Sequence, residues 1–326
     1  MEEQKYLFEV LKSKIPDHHR LVDIIEEHLK LNTNSAYRRI RGETELTFSE
    51  LLVLCKQFNL SLDEIFNFKS NQGVLFRYAQ VDFMKPESYL AYLNRLMNAY
   101  SFYKSAENIE MYYTAQDIPF FYFFDYPELM FLKLYAWNDT VTRTSMSYSE
   151  FCDKLDRKSI IPMYKQMSIL WKQIPSRDIW TNQTIDTILR LLEYYYETGA
   201  FENKETVIIL LNQLFELMDN VKKYADNGYK DDNMNASFLL YLCNVDFENN
   251  FMLMKRKEEM TCTIRLFTVN SIVTEHEALC SETEKWIQDL IAKSVLISGS
   301  SVRDRIRFFK ASRNKIEGLI NKIDKS

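Results

Sequence analysis

Arg38, Arg39 and Arg41 stand within four consecutive positions of a chain whose acids outnumber its bases, 46 to 41, for a formal charge of -5. A guanidinium is a planar fork of donors that fits a carboxylate, a phosphate or the acceptor edge of guanine in a two-pronged pair. In the stretch NTNSAYRRIRGETEL, residues 32–46, polar side chains precede the arginines, and Gly42, among only six glycines in the chain, follows them. Such a cluster is either the solvated face of a short surface helix or a small anion-reading surface. The acidic total argues against a chain coated by nucleic acid, but steering depends on the local field, so the flanking pattern has to decide.

Other side-chain chemistry is sparse. The closest two glycines, Gly299 and Gly318, are spaced too widely for a Gly-rich phosphate loop, so no nucleotide cofactor is expected. His18, His19, His28 and His276 lack Cys or carboxylate partners at metal-ligand spacing, which predicts no metal site and leaves no cofactor at all. Asp231-Asp232 and Glu258-Glu259 would point apart on a helix and read as solvated charges. No catalytic constellation emerges, and the chain is expected not to be an enzyme. Cys55, Cys152, Cys243, Cys262 and Cys280 are odd in number, far apart and without a Cys-x-x-Cys pair, as reduced thiols of a cytoplasmic protein would be. The N-terminal MEEQKYLFEV has no apolar h-region, and no run approaches the roughly 18 uncharged apolar residues of a membrane span. A soluble, cytoplasmic protein without a membrane partner is the expectation, in which the Asn-x-Ser/Thr matches at Asn138, Asn182 and Asn235 carry no meaning.

The elements that must hold the arginines emerge from periodicity and punctuation. At 326 residues and 46% hydrophobic, the chain can build one large or two ordinary domains with a real core. No proline follows Pro175, Gly199 and Gly228 close periodic apolar segments in the manner of helix C-caps, and no segment alternates as a half-buried strand does. These features predict an all-α chain. The apolar pattern breaks across FNFKSNQGVLF, residues 66–76, giving an N-terminal domain over residues 1–70 and a larger helical domain over 76–326. In the first, Leu7, Val10 and Leu11 predict a short helix before Pro16, and Leu21, Ile24, Ile25, His28 and Leu29 a second. Capping boxes at Thr47 to Glu50 and Ser61 to Glu64 open two more, ahead of Leu51, Leu54, Cys55 and Phe58 and of Ile65 and Phe66. Between the second helix and the Thr47 box fits one short helix, from about Ser35 to Arg41, closed by Gly42.

That order resembles the five-helix Cro/repressor-type, XRE-like helix-turn-helix domain. LVDIIEEHLKLNTNSAYRRIRGE is similar to the two-helix reading motif, with Ile25, Leu29 and Leu31 on its apolar positions, Asn32 in the polar turn and Ala36, Tyr37 and Arg38 on the recognition helix. LTFSELLVLCKQFNLSLDEIF resembles the fourth and fifth helices, so the likeness covers roughly residues 5–68. The family usually has Ala in its second helix and Gly in the turn, where this chain has Glu26 and Lys30, and Arg39 stands where an apolar residue is common. The resemblance implies a sequence-specific transcriptional regulator whose recognition helix, about residues 34–41, lies in the major groove of double-stranded DNA. Thr33, Asn34, Ser35 and Tyr37 would then touch DNA, Arg38 would read a base, Arg41 would hold phosphate, and Arg39 would touch DNA too, at base or backbone undecided. Proteins of this type bind paired half-sites as homodimers, which the larger domain would join.

Beyond residue 76 the pattern says less. The segment 112–137 gathers aromatic residues, and Phe120, Phe121 and Phe124 either line a pocket for a peptide or small-molecule effector or pack as core, the commoner fate. Residues 193–201 resemble the turn of a tetratricopeptide unit without a second copy at the required interval, so a repeat-like domain is one form the expected helices could take. Near the C-terminus, Val302, Ile306, Phe309, Ile316, Ile320 and Ile323 keep to steps of three and four, either a dimer-forming helix or, the preferred reading, a helix docked on its own domain. The competing class is a helical scaffold whose small domain reads no DNA.

Overall fold

The computed structural model describes the chain except for residues 1, 14, 16–19, 59, 61, 63–72, 79–80, 83–84, 143–145, 232, 235, 268–269 and 326. The chain divides into two compact units, Met1–Leu75 and Phe76–Ser326. The capping box at Ser61 to Glu64, the helix through Ile65 and Phe66, and the polar break at 69–72 rest on residues outside the described ones.

In the first unit lie α1 (Glu2–Ser13), α2 (Leu21–Leu29), α3 (Thr33–Ile40) and α4 (Phe48–Gln57). Their inner faces meet in a small core of Leu7, Phe8, Leu11, Val22, Ile25, Ala36 and Leu54. The Thr47 box forms as its sequence dictates: the Glu50 amide donates to Thr47 Oγ1 and the Thr47 amide to Glu50 Oε2.

The second unit overturns the all-α expectation, for both the class and the larger domain. Between β1 (Arg77–Tyr78) and β8 (Ser294–Leu296) it builds an eight-stranded mixed sheet in the order β1-β7-β6-β5-β2-β3-β4-β8. Three strands are parallel neighbours: β2 (Ile109–Ala115) pairs β3 (Ser176–Thr181), which pairs β4 (Phe238–Cys243). On the far side of β2 runs an antiparallel meander of β5 (Phe251–Arg256), β6 (Glu259–Phe267) and β7 (Asn270–Thr274). Glu258 and Glu259, expected on a helix, instead close the β5–β6 hairpin, where Arg256 pairs with Glu259 and Lys257 takes φ 55°.

Helices cover both faces of the sheet. Met111, Tyr113, Trp180, Phe238 and Leu240 face a large core built with α5 (Pro86–Ser105), α6 (Pro127–Thr142), α7 (Tyr148–Lys154), α8 (Arg157–Trp171), α9 (Asp186–Glu197), α10 (Lys204–Asn227) and α12 (Val302–Lys325). Tyr112, Ile179, Tyr241 and Leu253 face the other way, onto Cys280, Ile287 and Leu290 of α11 (Glu277–Ala292). Residues 193–201, expected as a tetratricopeptide-like turn, are the end of α9 and the start of its link to α10, the two helices that carry the chain from β3 to β4. Helix α12 packs along α10 with Phe308, Phe309, Ser312, Ile316, Leu319 and Ile323 inward, while Val302 and Ile306 stay exposed.

Candidate nucleic-acid interface

Helix α2 ends at Lys30 in the left-handed region, φ 53° and ψ 45°, the conformation for which glycine is the usual choice in such a turn. The chain reverses there, and Asn32 caps α3, its Oδ1 accepting the Ser35 amide at 2.9 Å. Ala36, fully buried, is the foot of α3 in the small core, so the opposite face points outward. That face carries Thr33, Asn34, Tyr37, Arg38 and Arg41, all exposed and one helical turn apart in two overlapping rows. Ser35 is half-buried beside the cap.

The three arginines do different things. Arg38 is exposed. Arg41, 59% exposed, grips Glu43 with both prongs, Nε to Oε1 at 2.8 Å and Nη2 to Oε2 at 3.2 Å, and its Cζ stands 5.9 Å from the Tyr37 ring centre. Arg39 turns inward: Nη2 meets Glu50 Oε1 at 2.8 Å with only 15% of its side chain exposed, and Nη1 donates to the Ser35 carbonyl at 3.4 Å. Burial alone would raise the Glu50 pKa, but the Arg39 guanidinium and the Thr47 cap outweigh it and hold the carboxyl below its ordinary value. Arg39 therefore belongs to the frame that fixes α3 against α4 and is withdrawn from the residues expected to touch DNA.

A residue with no signal in the sequence completes this frame. Gln4 of α1 donates from Nε2 to the Arg39 carbonyl at 2.7 Å and the Thr44 carbonyl at 2.9 Å, while its Oε1 accepts the Leu46 amide at 2.9 Å. It ties the end of α3 to the loop that follows, where Gly42 at φ 71° turns the chain away. A lone glutamine thirty-odd residues upstream has no periodicity to betray it.

The other sequence candidates fall elsewhere. Phe121 and Phe124 are each 1% exposed and Phe120 is partly buried, in a short 3-10 turn (Phe120–Asp125) that stacks on Trp171 and Tyr164. They line neither the cavity beside Lys230 nor the one beside Lys133, so the aromatic pocket is replaced by aromatic core. His28 packs edge-on against Phe58 at 5.5 Å, and among the described residues no group of three His, Cys, Asp or Glu could hold a metal ion. Among the described residues, no helix is long and apolar enough to cross a membrane.

No family model matches the chain, and no curated protein matches it. Among solved structures, TrmBL2, an archaeal chromatin protein whose structure shows a novel mode of DNA binding, aligns with 88% of this chain and 80% of its own length at 8% identity and a TM-score of 0.21. That score is too low for a shared fold and lends no weight to any function.

Proposed function

We propose that the chain is a sequence-specific DNA-binding transcriptional regulator that reads the major groove with α3. The observation that carries this reading is the single exposed face of Thr33, Asn34, Tyr37, Arg38 and Arg41 on a capped helix whose inner face is locked by Ala36 and Arg39. A rigidly held helix with polar residues at its free N-terminal end is what groove reading requires. In this reading Arg38 pairs with a base edge, Arg41 exchanges Glu43 for a phosphate, and Arg39 and Gln4 position the helix without touching DNA. A homodimer joined through residues 76–326 would set two such helices on paired half-sites; light scattering of the full chain at tens of micromolar, with and without duplex, tests this, and a monomer in both overturns it.

The direct test is selection of a duplex from a random pool, then titration of that site and a scrambled one at several salt concentrations. Arg38→Ala should lose about 1–3 kcal/mol on the selected site and relax the preference at one base pair. Arg41→Ala should weaken both duplexes alike and lower the salt slope by about one. If the pool yields no enriched sequence and both variants bind as wild type does, α3 is a solvated surface helix and the scaffold reading replaces this one.

A further inference from the structure

A cluster of buried charge in the larger unit has no part in DNA reading. It lies where β2 ends, β5 begins and β6 ends. There Asp117, Asn250 and Arg265 meet Lys133 of α6 and Thr187 of α9 around a cavity of about 370 Å³. The edge is knit together: Asn250 Oδ1 accepts the Gln116 amide at 2.7 Å and the Asp117 amide at 3.4 Å, and the Arg265 amide donates to the Asn250 carbonyl at 3.1 Å. From β2 the chain adds β3 and β4 to one side, then returns β5 to the other. Small ligands of α/β sheets bind outside the carboxyl ends of parallel strands, at such a reversal of order. The cavity is of ordinary ligand size.

The charges state what they would accept. Lys133 Nζ donates to Asp117 Oδ2 at 2.5 Å, and Arg265 Nη1 stands 3.8 Å from the same oxygen, with side-chain exposures of 7, 12 and 11% for Lys133, Asp117 and Arg265. Two cations thus share one oxygen, while the other, Asp117 Oδ1, is buried without a hydrogen-bond partner. Buried polar atoms are nearly always satisfied, and an exception asks for a donor that has yet to arrive. Burial and the like charge of Arg265 together pull the Lys133 pKa down against the opposing pull of Asp117, so a further anionic oxygen nearby would be welcome. A phosphate answers only half of this, since its two charges would face both Asp117 and Glu248 on the cavity wall. Ala136, Leu191 and Leu266 supply an apolar side to the same cavity.

We propose that this cavity binds a free α-amino acid with an aliphatic side chain, its ammonium directed to Asp117 Oδ1, its carboxylate to Lys133 and Arg265, and its side chain to Leu191 and Leu266. An ammonium and a carboxylate joined through one carbon match donors and acceptors that themselves meet on a single carboxyl group. Binding of this kind is measured on the chain alone and stands or falls independently of DNA reading.

Titration calorimetry of the full chain with L-alanine, L-valine and L-leucine tests it, with 4-methylpentanoate and isoamylamine as leucine lacking one charge each. At least one amino acid should bind, and each single-charge analogue should bind at least about tenfold more weakly than leucine. Asp117→Asn should weaken amino-acid binding about tenfold or more. Thr187→Trp places an indole in the cavity without removing a charge of the cluster and should abolish binding while circular dichroism and the melting temperature stay as in wild type. The proposal is overturned if none of the three binds at concentrations up to about 10 mM, if 4-methylpentanoate binds as tightly as leucine, or if folded Thr187→Trp binds undiminished.

Discussion

Arg39 Nη2 lies 2.8 Å from Glu50 Oε1, with both side chains about 15% exposed, so the middle arginine of the cluster faces the protein while its neighbours face out. Removing it leaves a part-buried carboxylate without its cation, which costs more than the pair itself contributes. Arg39→Ala should therefore lower the unfolding free energy by about 1–3 kcal/mol, whereas Arg38→Ala and Arg41→Ala stay within about 0.5 kcal/mol of wild type. Urea denaturation of the three variants decides the matter. Equal costs at all three positions would place Arg39 on the surface after all.

Glu43 occupies the guanidinium that the proposed function assigns to phosphate. The pair is about half exposed on both sides and holds little stability of its own. Glu43→Gln should free Arg41 and remove a like charge from the backbone, raising affinity for selected and scrambled duplexes by a similar few-fold factor at low salt. Fluorescence anisotropy across a salt series measures it, and a variant no tighter than wild type would remove Arg41 from the phosphate contact.

Phe121 and Phe124 stack within a continuous aromatic core, Phe121 at 5.0 Å from Trp171 and Phe124 at 5.6 Å from Tyr164. Truncation to Ala should cost about 3–5 kcal/mol at each position. A loss below about 1 kcal/mol in a thermal or denaturant melt would show that these rings sit in replaceable surroundings.

The first unit was legible because its instructions are local. Leu21, Ile25 and Leu29 recur with the helical period, Thr47 caps α4, and Gly42 ends α3 with a positive φ, whereas the Asn32 cap starts α3 at Thr33, two residues before the expected Ser35. The sheet was not, because its central strands are covered on both faces and show no polar alternation. Ile109–Ala115 has a single residue, Glu110, that is not fully buried, and Phe238–Cys243 reads FLLYLC, so both look like fragments of a buried helix. The β5–β6 hairpin hid for a different reason: Lys257 takes the left-handed position that Asn or Gly would have advertised. Of the site, the exposed face of α3 was readable, but the inward turn of Arg39 depends on Glu50, which no spacing rule connects to it.

Lys230, 3% exposed, donates to the Ile174 carbonyl at 2.5 Å and to Ser176 Oγ at 3.1 Å beneath the Trp171 ring. Burial, only partly offset by Asp178, pulls its pKa down from 10.5 to about 7. Above pH 7 the folded chain has released this proton while the unfolded chain keeps it until about 10.5, so raising the pH through that window favours the fold. Stability by urea denaturation should rise between pH 7 and 9 by up to about 1 kcal/mol per unit from this group, and Lys230→Met should flatten the rise. Parallel slopes for the two proteins would mean that Lys230 stays charged when folded.

The strand order also sets a timetable for synthesis. β2 is the first central strand to leave the ribosome, yet its partner β5 emerges well over a hundred residues later, with Met111 opposite Met254. Until then one flank of β2 offers open amides and carbonyls, and the segment Ile109–Ala115 carries little charge to discourage another chain from pairing there. The first unit, built from short-range helical contacts, can close long before this. A nascent chain arrested between β4 and β5 would therefore hold a finished small unit and an aggregation-prone half-sheet, and demand on chaperones should peak over that interval.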